Sequence, residues 1–240
     1  LRYIWEYKNK KYLYIFIVII LTSCVSTPAN YSVDYVSPIL IPIENEKIVD
    51  SNFDDVWDDL VGDLSKTFYV INNIDKQSRL LNVSFRITDG ISNYVSCGVS
   101  DKKFSLASKE LNSKYKVADS SSYFYEGGVQ TNVPNTIYFE VFRLPSLEGR
   151  ANIYVAPSDN GTKVSVNSRY TWIFRGEYDT YLYMPLYNSH NRQNSVGRRQ
   201  ITDINEPVAF NTNQIGGKPS EVQCVFTGKF EDEILNLLNS

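Results

Sequence analysis

The chain has 240 residues, with 24 basic and 27 acidic side chains and a formal net charge of −3. An acidic chain with no basic cluster beyond its first residues is a poor nucleic-acid binder, because phosphate neutralisation supplies most non-specific affinity. Eighteen Tyr, twelve Phe and three Trp against one Met point to β-rich structure, since aromatic side chains suit a pleated, half-buried surface.

The chain opens with a basic run, Lys8-Asn9-Lys10-Lys11, followed by an apolar stretch from Tyr12 to Leu21 and then Thr22-Ser23-Cys24. Ten apolar residues rise only about 15 Å as a helix, and a membrane span needs about 20 residues. A basic flank, a short apolar run and a small-residue site form the pattern of a signal peptide. The segment Leu21-Thr22-Ser23-Cys24 resembles the lipobox of bacterial lipoproteins. The resemblance implies cleavage before Cys24 and a diacylglycerol thioether on its sulfur. Leu1 at the start suggests a non-AUG start or a trimmed N-terminus. The expected organisation is a signal peptide over residues 1–23, a lipidated tether over 24–47 and one domain over 48–240. Residues 1–23 hold four basic groups and one acidic group, so the chain from Cys24 onward carries a net charge of −6. Charge therefore cannot hold it to anionic lipid; acyl chains must, and stable anchoring takes two or more of them. Val25, not Asp, follows the cysteine, which by resemblance to Gram-negative lipoprotein sorting implies the periplasmic face of the outer membrane.

Val25 to Val36 is weakly patterned and reads as tether. Ser37 to Ile43 has isoleucine at period two, interrupted by Pro38 and Pro42, which predicts an edge strand. Ser51 to Phe68 is the strongest helix. Ser51 or Asn52 caps it, Asp54 and Asp55 sit in its first turn, and Phe53, Val56, Trp57, Leu60, Val61 and Leu64 form one apolar stripe. Its aspartates read as a solvated face in preference to a metal site. Phe68 to Ile74 and Arg79 to Ile87 predict a hairpin around Asp75-Lys76-Gln77-Ser78, with Asp75 bonding its own turn. Ser100 to Gln130 is polar and reads as a long irregular loop. Thr136 to Arg143 reads as a strand. Arg150 to Arg175 predicts a hairpin at Asp159-Asn160-Gly161, with Asn-Gly supplying positive φ. On its return strand Val164, Val166, Ser168, Tyr170, Trp172 and Phe174 face inward. Lys163, Ser165, Asn167, Arg169, Thr171 and Arg175 face outward, as in an antiparallel sheet with one wet face. Glu177 to Pro219 reads as a polar loop containing Arg198 and Arg199. Its Tyr178, Tyr181, Tyr183 and Tyr187 form a contact surface or pack the loop onto the sheet. A helix from about Lys229 to Leu238 ends the chain.

With Cys24 assigned to lipid, Cys97 and Cys224 remain. Each shares a face with apolar neighbours at period two, Val95 and Val99 for one, Val222 and Phe226 for the other. In an oxidising compartment this predicts a disulfide, against the alternative of two buried thiols. Together these elements predict an α+β fold with an antiparallel sheet packed against an N-terminal and a C-terminal helix.

Val56-Trp57-Asp58-Asp59-Leu60, the run Phe68 to Lys76 and Leu81-Asn82-Val83-Ser84 resemble the helix-grip domains of BamC-like envelope lipoproteins. Tyr94 to Gly98, Asn152 to Pro157 and Val222 to Cys224 are similar to proteobacterial lipoproteins with two cysteines in these places. The resemblance implies a helix-grip fold and an assembly role in the envelope.

No G-x-S-x-G, H-E-x-x-H, P-loop or G-x-G-x-x-G pattern is present, so no cofactor and no metal are expected. The one histidine, His190, lies in a polar run and reads as a surface residue. Glu140 with Glu177 is the nearest thing to a catalytic carboxylate pair, with nothing in the pattern to favour it. The expectation is a non-enzymatic, membrane-anchored scaffold or envelope-assembly accessory with an envelope protein as partner. Arg169 and Arg175 on the outward strand face, or Tyr178, Tyr181 and Tyr183 in the loop that follows, are its candidate contacts. The alternative is a binding module for a small apolar, glycan or peptide ligand held between sheet and helix.

Overall fold

The computed structural model describes residues 30–107, 109–130, 135–184, 187, 189–192, 199–201, 208–217 and 222–239. The leader of residues 1–23, Cys24 and Arg198 lie outside them.

Helix α1, Phe53–Leu64, forms where the apolar stripe lies. The Asn52 side chain accepts from the Asp55 N–H at 3.1 Å and occupies one of the orphan donors of the first turn. Val56, Trp57, Leu60 and Leu64 are buried, each stabilising the fold by about 1.5–3 kcal/mol in hydrophobic transfer. The acidic face is solvated, as expected. Lys76 reaches it from the next hairpin and bridges Asp54 at 3.0 Å and Asp58 at 3.1 Å.

That hairpin is β3, Val70–Asp75, and β4, Leu80–Ile87. Asp75 closes its turn by accepting from the Ser78 N–H at 2.9 Å. The second hairpin is β10, Ser146–Ser158, and β11, Gly161–Ile173, in unbroken register from Ser146 opposite Ile173 to Ser158 opposite Gly161. Only Gly161 in its turn carries a positive φ, +115°, so one left-handed position suffices where the Asn-Gly pair predicted two. A Cβ there would stand 2.1 Å from the Val49 carbonyl oxygen, so the glycine also admits the neighbouring strand. That strand is β2, Glu46–Val49, which pairs with β11. With β15, Val208–Asn211, these build a six-stranded antiparallel sheet in the order β15-β11-β10-β4-β3, with β2 also on β11. Gly149 leaves room on its inner face for the Phe85 ring, which a Cβ would meet at 2.2 Å.

The second helix, α2, Lys229–Asn236, lies on the same inner face and buries Phe230 and Ile234. It also buries a carboxylate. Glu231 is fully buried, accepting from the Tyr170 hydroxyl at 2.7 Å and the Thr212 hydroxyl at 2.9 Å. Glu233 accepts from the hydroxyls of Tyr69 and Tyr94. Burial, with the adjacent carboxylates next, pushes the phenols of Tyr69 and Tyr170 far up.

The expected class does not survive. Sixteen strands in four antiparallel sheets stand against two α-helices among the described residues, so the fold is mostly β rather than α+β with one sheet gripped by two helices. The difference lies in segments read as loops. Ser100 to Gln130 contains β6, Val99–Leu106, β7, Lys109–Lys116, and β8, Ser121–Gln130. The tether contains β1, Asn30–Val36, paired with β6 from Asn30 opposite Ser105 to Val36 opposite Val99. Residues 37–45 hold no strand. Glu177 to Pro219 contains most of β12, Gly176–Met184, together with β13, Ser189–Arg192, β14, Arg199–Ile201, and β15. Strand β9, Asn135–Arg143, matches the expectation and joins β8 and β12 in a five-stranded sheet. These strands place Ser, Lys and Tyr at inward positions, so their period-two signal lacks the aliphatic residues by which a strand is recognised.

Two cores result. The larger joins both helices to the six-stranded sheet. The smaller gathers Phe104, Leu106, Tyr138 and Tyr183 between the other sheets.

Candidate functional site

Cys97 and Cys224 form a disulfide and both are fully buried. It ties β5, Val95–Ser96, to β16, Val225–Phe226, which pair with each other alone. Beside it the Tyr35 hydroxyl donates to the Cys97 carbonyl at 3.1 Å and accepts from the Gln223 N–H at 3.2 Å.

The outward face of the six-stranded sheet carries a row of amides. Asn72 donates to Asn82 at 3.0 Å, Asn82 to Asn152 at 2.7 Å, and Asn45 to Asn167 at 3.2 Å. In the adjacent row Arg150 stands directly opposite Arg169, and Asn211 follows on β15. Like charges directly opposite one another repel. Both arginines are exposed, and neither has an ion pair among the described residues. Other cations of this face are paired: Arg86 with Glu148 at 3.4 Å and Lys163 with Glu46 at 2.6 Å. Arg150, Arg169, Asn82, Asn152, Asn167 and Asn211 line an open cleft of about 480 Å³.

The remaining sequence candidates lie elsewhere. Arg175 sits past the end of β11 in a separate depression with Arg86 and Asp89, and pairs with Glu177 at 3.4 Å. Tyr178 stands edge-on to Phe139 at 5.2 Å. Tyr181 stacks on Tyr138 at 5.1 Å and donates to Glu140 at 2.9 Å. Tyr183 is 4% exposed and belongs to the smaller core. Tyr181 and Tyr183 pack into the smaller core against β6, and none of the three tyrosines lines the cleft that holds Arg169.

His190 is half-buried on β13, not on a surface loop; its strand pairs with β12 and places it opposite Tyr183. Its Nδ1 is 3.2 Å from the Tyr138 hydroxyl. Burial, with Lys109 second, lowers its pKa. Burial raises the Tyr138 phenol to about 12. A base needs an orienting partner in hydrogen-bond reach, and no carboxylate bonds His190 among the described residues. No group of three or more His, Cys, Asp or Glu among those residues has metal-ligating geometry.

A second cluster escaped the sequence reading. Ser100, Lys102, Phe104 and Leu106 alternate along β6, with Ser100, Phe104 and Leu106 buried and Lys102 half-buried in phase with them. Lys102 Nζ lies 3.4 Å from the Tyr123 ring centroid. Arg143, at the end of β9, is 5% exposed. It donates to the Val117 carbonyl at 2.8 Å and to the Ser121 hydroxyl at 3.5 Å. Its guanidinium lies 4.6 Å from the Tyr115 ring centre and 5.3 Å from that of Phe174. Both cations line a pocket of about 290 Å³ walled by Tyr35, Tyr115, Tyr123, Trp172 and Phe174. Burial, with the Arg143 charge second, draws the Lys102 ammonium down to about 8.

No protein-family model, no curated protein and no solved structure matches this chain.

Proposed function

We propose that the chain is a lipid-anchored accessory protein of the bacterial envelope, held through Cys24 at the periplasmic face of the outer membrane, that works by binding rather than by catalysis. The leader, the lipobox-like segment and Val25 support the address. A fully buried disulfide is at home in an oxidising compartment. No helix among the described residues is long and apolar enough to cross a membrane.

The observation that carries the binding role is the Arg150–Arg169 pair. Two guanidinium groups without an ion pair among the described residues, set side by side on a sheet within a frame of asparagines, match a partner that presents carboxylates. Guanidinium forks take carboxylates two bonds at a time, and amides add hydrogen bonds of either polarity. The partner of this reading is an acidic surface of another envelope protein.

The test pairs charge reversal with in-cell cross-linking. Arg150→Glu with Arg169→Glu removes at least one cross-linked envelope protein that the wild type and an Arg175→Glu control retain. An identical partner set in all three refutes the surface. Cys24→Ala, followed by membrane fractionation, tests the address; a cleaved, membrane-bound Cys24→Ala product refutes it.

A further inference from the structure

We propose that the pocket between β1, β6, β7, β8, β9 and the end of β11 binds a small organic carboxylate with a flat apolar body, its charge held between Lys102 and Arg143.

Two cations share one open pocket, and its lining includes no Asp or Glu. A desolvated charge is costly unless it is paired. Arg143 is held in place by Val117, Ser121 and the Tyr115 hydroxyl, with the Asp119 charge acting on it as well, and these contacts do not use all five guanidinium donors. Lys102 has no hydrogen bond or ion pair among the described residues and rests only on the Tyr123 ring. Aromatic faces stabilise both cations partly. An anion placed between them would satisfy both, and the fork of Arg143 suits a planar carboxylate.

The walls describe the rest of the ligand. Five aromatic rings, with Val33, Val117 and Val222, wall the pocket with mostly apolar surface that inorganic phosphate would not cover. A volume of about 290 Å³ suits one small molecule, at the lower end of small-molecule sites. The site is assembled from distant segments. Register places Lys102 opposite Val33 on β1 and Ser113 on β7. Arg143 stands opposite Ser121 on β8. The Trp172 indole N–H donates to the Ala118 carbonyl at 3.2 Å, next to the Val117 carbonyl that holds Arg143. The pocket is independent of the Arg150–Arg169 cleft, so either reading can fail alone.

The probe is 1-naphthoate, titrated calorimetrically into the full chain in detergent at pH 7. Neutral 1-naphthalenemethanol and inorganic phosphate are the controls. Lys102→Met, in the same detergent, separates binding from micelle partitioning and preserves the stem's packing; Lys102→Arg tests rescue by charge. The expected result is one site per chain for 1-naphthoate, at least tenfold weaker binding of the neutral analogue and of phosphate, at least tenfold loss in Lys102→Met and recovery in Lys102→Arg. No saturable heat with 1-naphthoate overturns the proposal. Equal affinity for the alcohol, or unchanged affinity in Lys102→Met, overturns the role of charge. Phosphate binding as tightly as 1-naphthoate overturns the apolar body.

Discussion

Replacing Cys97 and Cys224 together by alanine removes the tie between β5 and β16, and its cost follows from chain entropy. The cysteines are 127 residues apart in sequence. Closing a loop of that length restricts the unfolded chain by about 5 kcal/mol at 25 °C. Apart from the tie, the corner is held by the Gly216–Cys224 bridge, by the Thr227 N–H on the Tyr94 carbonyl and by the Tyr35 hydroxyl between Cys97 and Gln223. Strands β5 and β16 pair over two residues, Ser96 with Val225 and Val95 with Phe226. The helix that follows, α2, is held by its apolar stripe and by the tyrosine hydroxyls on Glu231 and Glu233. In a chain of this size about 1 kcal/mol moves the melting temperature by about 2–4 °C, so the double variant should melt about 10–20 °C lower. Calorimetry measures the total, and amide exchange locates it. Protection should fall first at Val225, Phe226 and along α2, with β10 and β11 still protected. Reduction of the wild type should reproduce most of the loss without any substitution. A double variant melting within about 3 °C of the wild type refutes the entropic reasoning. A uniform loss of protection refutes the local one.

Tyr170→Phe removes one of the two donors to the buried Glu231 carboxylate and should cost about 1.5–3 kcal/mol in urea unfolding. Glu231→Gln in the same background should recover part of it, which a double-mutant cycle reads directly. Gly161→Ala sets a Cβ 2.1 Å from the Val49 oxygen at a φ of +115° and should destabilise by more than about 1 kcal/mol, where an accommodating turn would lose nothing. Lys102→Met should raise stability at pH 7, because it removes an ammonium whose charged form the fold disfavours. Between about 8 and the ordinary 10.5 the unfolded chain binds more protons at this position than the folded one. Wild-type stability therefore rises with pH through that window relative to the methionine variant, and the gain from substitution fades. The other titratable groups facing the pocket are Tyr35, Tyr115, Tyr123 and Arg143, and both proteins share them. A stability difference independent of pH from 7 to 10.5 would show that Lys102 is not desolvated.

Where a segment's inward positions are aliphatic or aromatic, its period declares it. Helix α1, the β3–β4 and β10–β11 hairpins, β9, α2 and the cysteine pairing were legible for that reason. Leu81, Val83 and Phe85 on β4 show it most plainly, whereas β9 buries Tyr138 out of phase with half-buried Ile137 and Phe139, and α2 carries the buried Glu231 within its apolar stripe. Strands β6 and β7 do not. Their inward positions read Ser100, Lys102, Phe104 and Leu106, then Lys109, Leu111, Ser113 and Tyr115. Polar groups at those positions are what made the region look like a loop, and with it the α+β reading failed. The tyrosines of β12 misled in the opposite sense, because a polar flanking sequence hid that Tyr183 is a core residue. The cation pocket was out of reach for a further reason: its parts come from β1, β6, β7, β8, β9 and β11, which only the tertiary pairing brings together. One local signal did exist. A lysine in strict phase with Phe104 and Leu106 contradicts its own strand, and Arg143 does the same after Val141 on β9. A fold whose elements otherwise agree with their patterns tolerates such contradictions where function offsets their cost. Both breaks, Lys102 and Arg143, line the same pocket, and that coincidence is what the proposed carboxylate site rests on.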